Sequence, residues 1–378
     1  MAQKKKLFFY TCFEFGNAAS NGICKKILAQ MKVFANNGYD VDYTCTINGD
    51  VYVVSGGKRI CIGKASKISS KLKQSRKLIG YLKDKKYDCA YIRYGLSDPW
   101  LITVLQDMKK KGARILMELP TYPYEGELSH TGLKGDFVAA LDRKYRKKLK
   151  TAVDKIVTFS EDEEIFGIKT IRTCNGVDFD VVKKVEKTAH AADEIHLIAV
   201  AGLAKWHGYD RMISGIGKYY QNQGKRNIIF HVVGEGKELE KYRRIIGEYH
   251  IEKHVILHGF QSGDALDAIY NRSDIGVSSL GLHRIGLKAA STLKSREYGA
   301  KGLPLITTCR LDFYPEDWKY QLVVPQDDSS IEMQDVIRFY DQIQAAGEDL
   351  AEIIRRETMK TASMEATFAD ILAFYAKA

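Results

Sequence analysis

Short apolar runs alternate along most of the chain with stretches in which hydrophobic positions recur every three or four residues. The first pattern reads as buried strand and the second as amphipathic helix. In the first half, strands are expected at residues 6–11, 41–46, 89–93, 114–119, 155–159 and 171–174. Helices are expected at 23–36, 100–111 and 137–151, with a long basic helix over about 66–85. A hairpin is expected over 51–62, turning at Ser55-Gly56-Gly57. The alternation then begins afresh, with strands at 195–201, 228–233, 255–257 and 275–278 between helices at 209–220, 237–249 and 263–270. The stretch STLKSREYGAKGLPLI (291–306) supplies a further helix and strand, and helices near 331–343, 350–361 and 366–376 close the chain.

This order predicts an α/β protein of two doubly wound, Rossmann-like domains with mostly parallel sheets. The polar, aperiodic junction DFDVVKKVEKTAHAADE divides residues 1–182 from 183–362, and residues 363–378 form a closing helix. Ligands of such sheets bind beyond the carboxyl ends of the strands, so two of them facing one another imply an interdomain cleft.

With 378 residues, 45% of them hydrophobic, the chain can bury two cores. No run of about 18 apolar residues is present, so no spanning helix is expected. The start, MAQKKKLFFYTCFEF, is interrupted by Thr11 and Glu14 and lacks a small-residue cleavage site, and it reads as a first strand rather than a signal peptide. The seven cysteines are odd in number, widely spaced and never in a Cys-x-x-Cys pair, which argues for a reducing cytoplasm and against a zinc or disulfide framework. Net charge is +11, unevenly held: residues 1–190 carry 35 Lys+Arg against 21 Asp+Glu, residues 191–378 carry 23 against 26. A basic first half points to an anionic partner: membrane lipid, nucleic acid or a phosphorylated substrate.

Candidate chemistry gathers at strand ends in the second half. AGLAKWHGYDR (201–211) leaves a strand and opens a helix, with Gly202 and Gly208 allowing the turn and Lys205 and His207 within it. Free amides at such a helix start attract anions. In VVGEGKELEKY the pair Gly234 and Gly236 flanks Glu235, but Leu239 stands where a dinucleotide fingerprint needs its third glycine. HVILHGF ends in Gly259 and Phe260, suited to contact with a planar base. In the 291–306 stretch, Ser291 or Thr292 is the expected helix cap, leaving the amides of Ser291, Thr292 and Leu293 for a diphosphate, with Lys294 adding a charge. Glu297 lies one turn on, where a carboxylate accepts hydrogen bonds from a ribose diol; taken alone, the pair also reads as an ordinary i,i+3 surface contact.

The order of these pieces decides between the readings. Strand-Gly-x-x-Lys-x-His-Gly, Val-Gly-Glu-Gly, His-Gly-Phe and Lys-x-x-Glu-Tyr-x-x-x-Gly-x-Pro resemble the donor half of family 4 glycosyltransferases of GT-B fold, particularly bacterial exopolysaccharide and capsule members. YIRY (91–94), MELPTYPYEGE (117–127) and IVTFS…NGVD (156–178) extend the resemblance over nearly the whole chain. It implies retaining transfer of a sugar from a nucleoside diphosphate donor, UDP- or GDP-linked, with no cofactor and no metal. It implies that Glu297 holds the ribose, that Lys294, Lys205 and the amides at 291–293 hold the diphosphate, and that the closing helix returns to the first domain. His207 stands where many relatives have lysine. The first glutamate of the family's Glu-x7-Glu pair is replaced by Ala289, and His283 and Arg284 are the candidates to make its sugar contact. In the first domain, Glu118 reads either as a buried structural carboxylate or as a catalytic or acceptor-side group, the second being favoured; Tyr122 and Tyr124 would stack on sugar faces, and Gly16 and Asn17 lie in a loop that lets the acceptor approach. Asp40-Val41-Asp42 straddles a strand start and is not read as a metal motif.

The basic stretches 64–86 and 143–155, with side chains such as Lys64, Lys86, Arg143 and Lys155, suit docking on an anionic membrane, where each basic group adds roughly 1 kcal/mol. The expected protein is thus cytoplasmic, on the inner face of the membrane, with a glycan or lipid-linked acceptor. Competing readings are a GT-B nucleotide-sugar epimerase, a degenerate partner-binding relative, and a nucleic-acid binder. Against the last, no nucleic-acid module is recognisable and the second half is net acidic.

Overall fold

The computed structural model describes residues 4–15, 21–64, 70–124, 132–191, 193–287, 292–315, 317–345 and 349–377. The chain forms two compact units, Met1–Cys174 with Thr367–Ala378, and Asn175–Ala366.

The first unit is built on β1 (Lys5–Tyr10), β2 (Tyr39–Ile47), β3 (Asp50–Ser55), β4 (Lys58–Lys64), β5 (Cys89–Arg93), β6 (Arg114–Leu119), β7 (Lys155–Thr158), β8 (Glu164–Ile165) and β9 (Ile168–Arg172). They form one sheet in the order β4-β3-β2-β1-β5-β6-β7-β9-β8. Its centre is parallel, while β3 and β4 extend β2 as an antiparallel meander. The helices are α1 (Asn21–Asn36), α2 (Ser70–Leu82), α3 (Pro99–Lys110) and α4 (Gly132–Arg146). α3 shows why local sequence suffices at some ends: the Asp98 carboxylate accepts the Leu101 N–H at 2.8 Å and Pro99 occupies the first turn. The short β8–β9 hairpin is absent from the sequence reading, because Phe166-Gly167 turns too few residues to leave a periodic signal.

The second sheet comprises β10 (Glu194–Val200), β11 (Asn227–Val233), β12 (Val255–Leu257), β13 (Ile275–Val277), β14 (Leu305–Thr307) and β15 (Gln321–Val323). All pairings are parallel, in the order β12-β11-β10-β13-β14-β15, which is the doubly wound order 3-2-1-4-5-6. Ile195, Leu197, Ile198 and Ala199 of β10 are fully buried, as expected of a strand covered on both faces. Its helices are α5 (Tyr209–Gln221), α6 (Leu239–Tyr249), α7 (Gly263–Arg272), α8 (Leu293–Lys301), α9 (Met333–Gln344) and α10 (Leu350–Ala362). The expected closing helix is broken into α11 (Met364–Thr367) and α12 (Ala369–Ala376). α12 packs on the first sheet, where the Tyr375 hydroxyl donates to the Ala90 carbonyl at 2.6 Å and the Phe368 ring meets Phe34 edge-on.

Two doubly wound sheets, the first mixed with a parallel centre and the second wholly parallel, therefore carry the fold. Among the described residues no helix is long and apolar enough to cross a membrane.

Candidate functional site

Strand order in the second unit reverses between β10 and β13, which opens a crevice beyond their carboxyl ends. Tyr298 of α8 marks this point. Its hydroxyl accepts the Val200 N–H at 2.9 Å where β10 ends, and donates to the Val277 carbonyl at 3.4 Å where β13 ends. Gly276 leaves room for the ring, since a Cβ there would lie 2.6 Å from Tyr298 Cδ2. Sequence reasoning passed over this tyrosine. Tyr298→Phe is expected to leave the Val200 amide unpaired and to cost about 1–3 kcal/mol in urea melts, without changing the charge of the site.

Around this point the strand ends turn tightly. Gly234, after β11, has φ +125° and its Cβ would fall 1.9 Å from the Ala201 carbonyl oxygen; its N–H donates to the Gly259 carbonyl at 2.7 Å. Gly208 has φ +63° and lies against the Leu280–Gly281 backbone, where a Cβ would meet Gly281 N at 2.5 Å. These are positions that only glycine fills without strain. Gly202 and Glu235 are exposed, and Phe260, beside the left-handed Gly259, is 72% exposed.

The first turns of α5 and α8 meet here. Thr292 caps α8 by accepting the Ser295 N–H at 3.3 Å, and the Ser295 hydroxyl is 2.7 Å from that of Ser278 beyond β13. Leu293 opens the helix, and its side chain is exposed. Lys294 is half-buried. Its ammonium donates to the Tyr209 hydroxyl at 3.2 Å and lies 5.6 Å from that ring's centre. Among the described residues no carboxylate pairs with it, and burial pushes its pKa down to about 7. Glu297 follows one turn later, half-buried and electrostatically coupled to Tyr270 and Tyr298. Lys205 is exposed on the short 3-10 turn Lys205–His207.

His207 is buried and stacks on Tyr209. Its Nδ1 accepts the Ala204 N–H at 3.1 Å, which places its own hydrogen on Nε2. Burial, and then the charge of Lys294, push its pKa to about 3. The ring is neutral at pH 7 and offers one N–H donor rather than a cation.

Arg284 is committed elsewhere. Its guanidinium grips Asp210 through two 2.8 Å hydrogen bonds, the Asp328 carboxylate at 2.6 Å and the Lys205 carbonyl at 3.0 Å. It fixes the loop after β13 to the turn after β10, rather than reaching freely for a sugar. His283 contacts Asp328 at 3.1 Å, and its Nδ1 is buried without a hydrogen-bond partner among the described residues. Arg296 is fully buried, pairing with Asp312 at 2.6 Å over the Phe313 ring. Ser291 and Ala289 lie outside the described residues, as do Gly16 and Asn17 of the first unit.

In the first unit, Glu118 is the penultimate residue of β6 and has no exposure. Arg93 pairs with one oxygen, Tyr91 and Gln30 donate to the other at 2.8 Å each, and Lys26 stands 3.9 Å away. Burial raises its pKa, but the charges of Arg93 and Lys26 with the Tyr91 and Gln30 hydrogen bonds outweigh it, leaving a net lowering. This carboxylate is sealed in a network joining β5, β6 and α1, the arrangement expected of the structural rather than the acceptor-side reading. Tyr124 is likewise buried, donating to Asp142 at 2.5 Å, so its ring face is not open to a sugar; Tyr122 is half-buried, edge-on to Phe166 at 5.9 Å.

Residues 181–316, a little over a third of the chain, match the family described as glycosyl transferases group 1. Sequence comparison with curated proteins finds no match. Among solved structures, the chain is similar to a glycosyltransferase from Rickettsia africae ESF-5, with TM-score 0.63 and 14% identity over 99% of this chain and 98% of that one. It is similar also to WaaG, a glycosyltransferase involved in lipopolysaccharide biosynthesis, with TM-score 0.60 and 14% identity over 98% and 100%. A third is the catalytic domain of starch synthase IV from Arabidopsis thaliana bound to ADP and acarbose, with TM-score 0.60 and 12% identity over 100% and 98%. The fold is that of the GT-B glycosyltransferases. The matched segment spans β10 to α8 and ends beyond them, so it contains every described residue of the candidate site in the second unit, and together with the fold it supports a GT-B glycosyltransferase.

Proposed function

We propose that the protein is a retaining glycosyltransferase that takes a sugar from a UDP- or GDP-sugar and passes it to a glycan or lipid-linked acceptor in surface polysaccharide synthesis. The observation that carries the reading is Lys294: a half-buried ammonium without a carboxylate partner among the described residues, at the junction of two helix starts. Burying such a group costs stability unless an anion completes it. The amides opening α5 and α8 add their dipoles, and exposed Lys205 adds a second charge, so a diphosphate is the ligand this site fits.

In this reading Gly202, Gly208 and the amides of Ser291, Thr292 and Leu293 approach the diphosphate, with His207 Nε2–H as a neutral donor. Gly234 and Glu235 offer backbone at the β11 end, Gly259 and Phe260 flank the base, and Glu297 accepts from the ribose. The leaving diphosphate is stabilised by Lys294 and Lys205, preorganised charges that replace a metal ion. Ala289 has no carboxylate to offer the donor sugar, and with Arg284 held by Asp210, His283 is the nearer candidate for that role. The starch synthase IV structure contains ADP, and WaaG is described as acting in lipopolysaccharide biosynthesis; both are in keeping with this donor class and pathway. The basic stretches 64–86 and 143–155 would hold the protein on the inner face of the membrane.

A thermal-shift panel of UDP-, GDP- and ADP-sugars tests the reading. One donor is expected to stabilise the protein by about 2.7 kcal/mol at a hundredfold excess over its Kd, and Glu297→Ala to lose most of this shift. If no nucleotide-sugar moves the melting temperature, and turnover survives Glu297→Ala, the site is misassigned. Donor consumed without acceptor, giving an epimerised sugar, would assign the chain to the epimerases instead.

A further inference from the structure

Outside that site, a second group of side chains converges at the amino-terminal edge of β10. Glu194 and His196 are two apart on the strand and share a face, and the His190 ring, from the segment entering β10, lies 4.5 Å from that of His196. One ligand atom from each of the three residues lies within 4.8 Å of the others. We propose that His190, Glu194 and His196 bind one divalent transition-metal ion of the zinc class through two imidazole nitrogens and a carboxylate oxygen. This donor set, with a fourth position left for water, is one such ions take.

His190 supplies an independent pointer. Its Nδ1 lies 3.1 Å from the Ala191 carbonyl oxygen and its Nε2 3.1 Å from the Asp274 carboxylate. Both oxygens only accept, whereas a neutral imidazole carries a single hydrogen. One nitrogen therefore faces an oxygen lone pair to lone pair unless the ring is protonated or a cation sits on it. Asp274 is already compensated by the Lys187 ammonium at 3.2 Å and the His196 N–H at 2.9 Å. A cavity of about 480 Å³, lined by His190, Asp274, Lys187 and Tyr340, opens beside the group and admits an ion and its water.

The outer contacts give the site a signature. Asn227 Nδ2 donates to Glu194 Oε1 at 3.0 Å, leaving Oε2 for the ion. His196 Nδ1 is 2.9 Å from His231 Nε2, and His231 Nδ1 is 2.9 Å from His258 Nε2. In the metal-free chain, His196 Nε2–H must point at Glu194 Oε2, 3.1 Å away, because a carboxylate only accepts. His196 Nδ1 then accepts from His231 Nε2–H, and His231 Nδ1 from His258 Nε2–H. An ion on His196 Nε2 displaces that hydrogen. Metal-bound imidazoles donate through their other nitrogen, so the chain reverses and both contacts become Nδ1–H to Nε2. The proton lost at His196 Nε2 is balanced by one gained from water at His258 Nδ1; every ring stays neutral and only the tautomers change. The metal-free chemistry proposed at the strand carboxyl ends is separate from this site.

Titrating the full chain with Co²⁺, monitored by visible absorption, tests the proposal, with Zn²⁺ and ¹⁵N-histidine NMR as the second measurement. One equivalent of Co²⁺ is expected to produce the d–d bands of a nitrogen and oxygen site, with no thiolate charge-transfer band. His190→Ala and Glu194→Gln are expected to weaken binding by more than the roughly 10–100-fold typical of an outer partner, while exposed His250→Asn leaves it intact. Zn²⁺ is expected to exchange the tautomers of His231 and His258. Absence of stoichiometric binding, binding that survives in both ligand variants, a thiolate band, or unchanged tautomers at His231 and His258 would each overturn it. Glu194→Gln keeps the shape of its hydrogen bonds, and circular dichroism of both variants confirms that they are folded.

Discussion

Lys294→Met is expected to abolish most nucleotide-sugar binding while making the ligand-free protein more stable. The ammonium is half-buried against Tyr209 with no carboxylate partner among the described residues, and burial lowers its pKa to about 7. In the unfolded chain it titrates near 10.4. Between these values the unfolded state holds the extra proton, so stability rises with pH across the window. The cost of burying the charge is complete below pH 7 and fades as pH climbs toward 10.4. The gain from Lys294→Met is therefore largest near pH 6 and smallest near pH 10, which melts at the two pH values resolve. Donor binding moves the other way. Charged hydrogen bonds contribute about 1.5–3 kcal/mol, so the variant should bind roughly 10- to 150-fold more weakly. Wild-type affinity should also decline as pH rises from 6.5 to 8.5, since the diphosphate needs the protonated amine. Unchanged donor affinity together with an unchanged melting temperature at pH 6 would remove Lys294 from the site.

Glu118→Ala carries the largest stability effect, for the opposite reason. It leaves Arg93, only 5% exposed and already lacking a partner for Nε among the described residues, as an uncompensated charge in the first unit. Breaking a buried pair from one side costs about 3–5 kcal/mol. The urea midpoint should fall accordingly, while the double variant Arg93→Met/Glu118→Leu recovers most of the loss. The contribution of the carboxylate is present above its unfolded pKa of roughly 4.3 and is lost as pH falls through its lowered folded value. A Glu118→Ala protein with wild-type stability but lost turnover would restore the substrate-facing role that its burial argues against.

These two residues show where sequence reasoning holds and where it stops. Lys294 could be placed on the first turn of a helix from a cap, a turn and a spacing, because all three are local. Its missing counter-ion is a fact about every other element around it. Glu118 was visible as a carboxylate at a strand end, a position shared by catalytic and structural groups alike. What separates them is the approach of Arg93 from the next strand and of Lys26 and Gln30 from α1. Arg284 makes the same point: its sequence neighbours give no hint of Asp210, 74 residues away, which holds it.

The chain by itself determined the alternation of strands and helices, the restart that makes two doubly wound sheets, and the glycines at the ends of β11 and β12. Periodicity, capping and turn chemistry act over a few residues and so are written in consecutive ones. The tertiary structure alone decided that Tyr298 closes the switch point, that His207 is neutral, and that Arg284 and Glu118 are bound inward. It also aligned His196 of β10, His231 of β11 and His258 just beyond β12. Those outcomes depend on which distant groups share a burial site, and desolvation and pairing there set charge and availability.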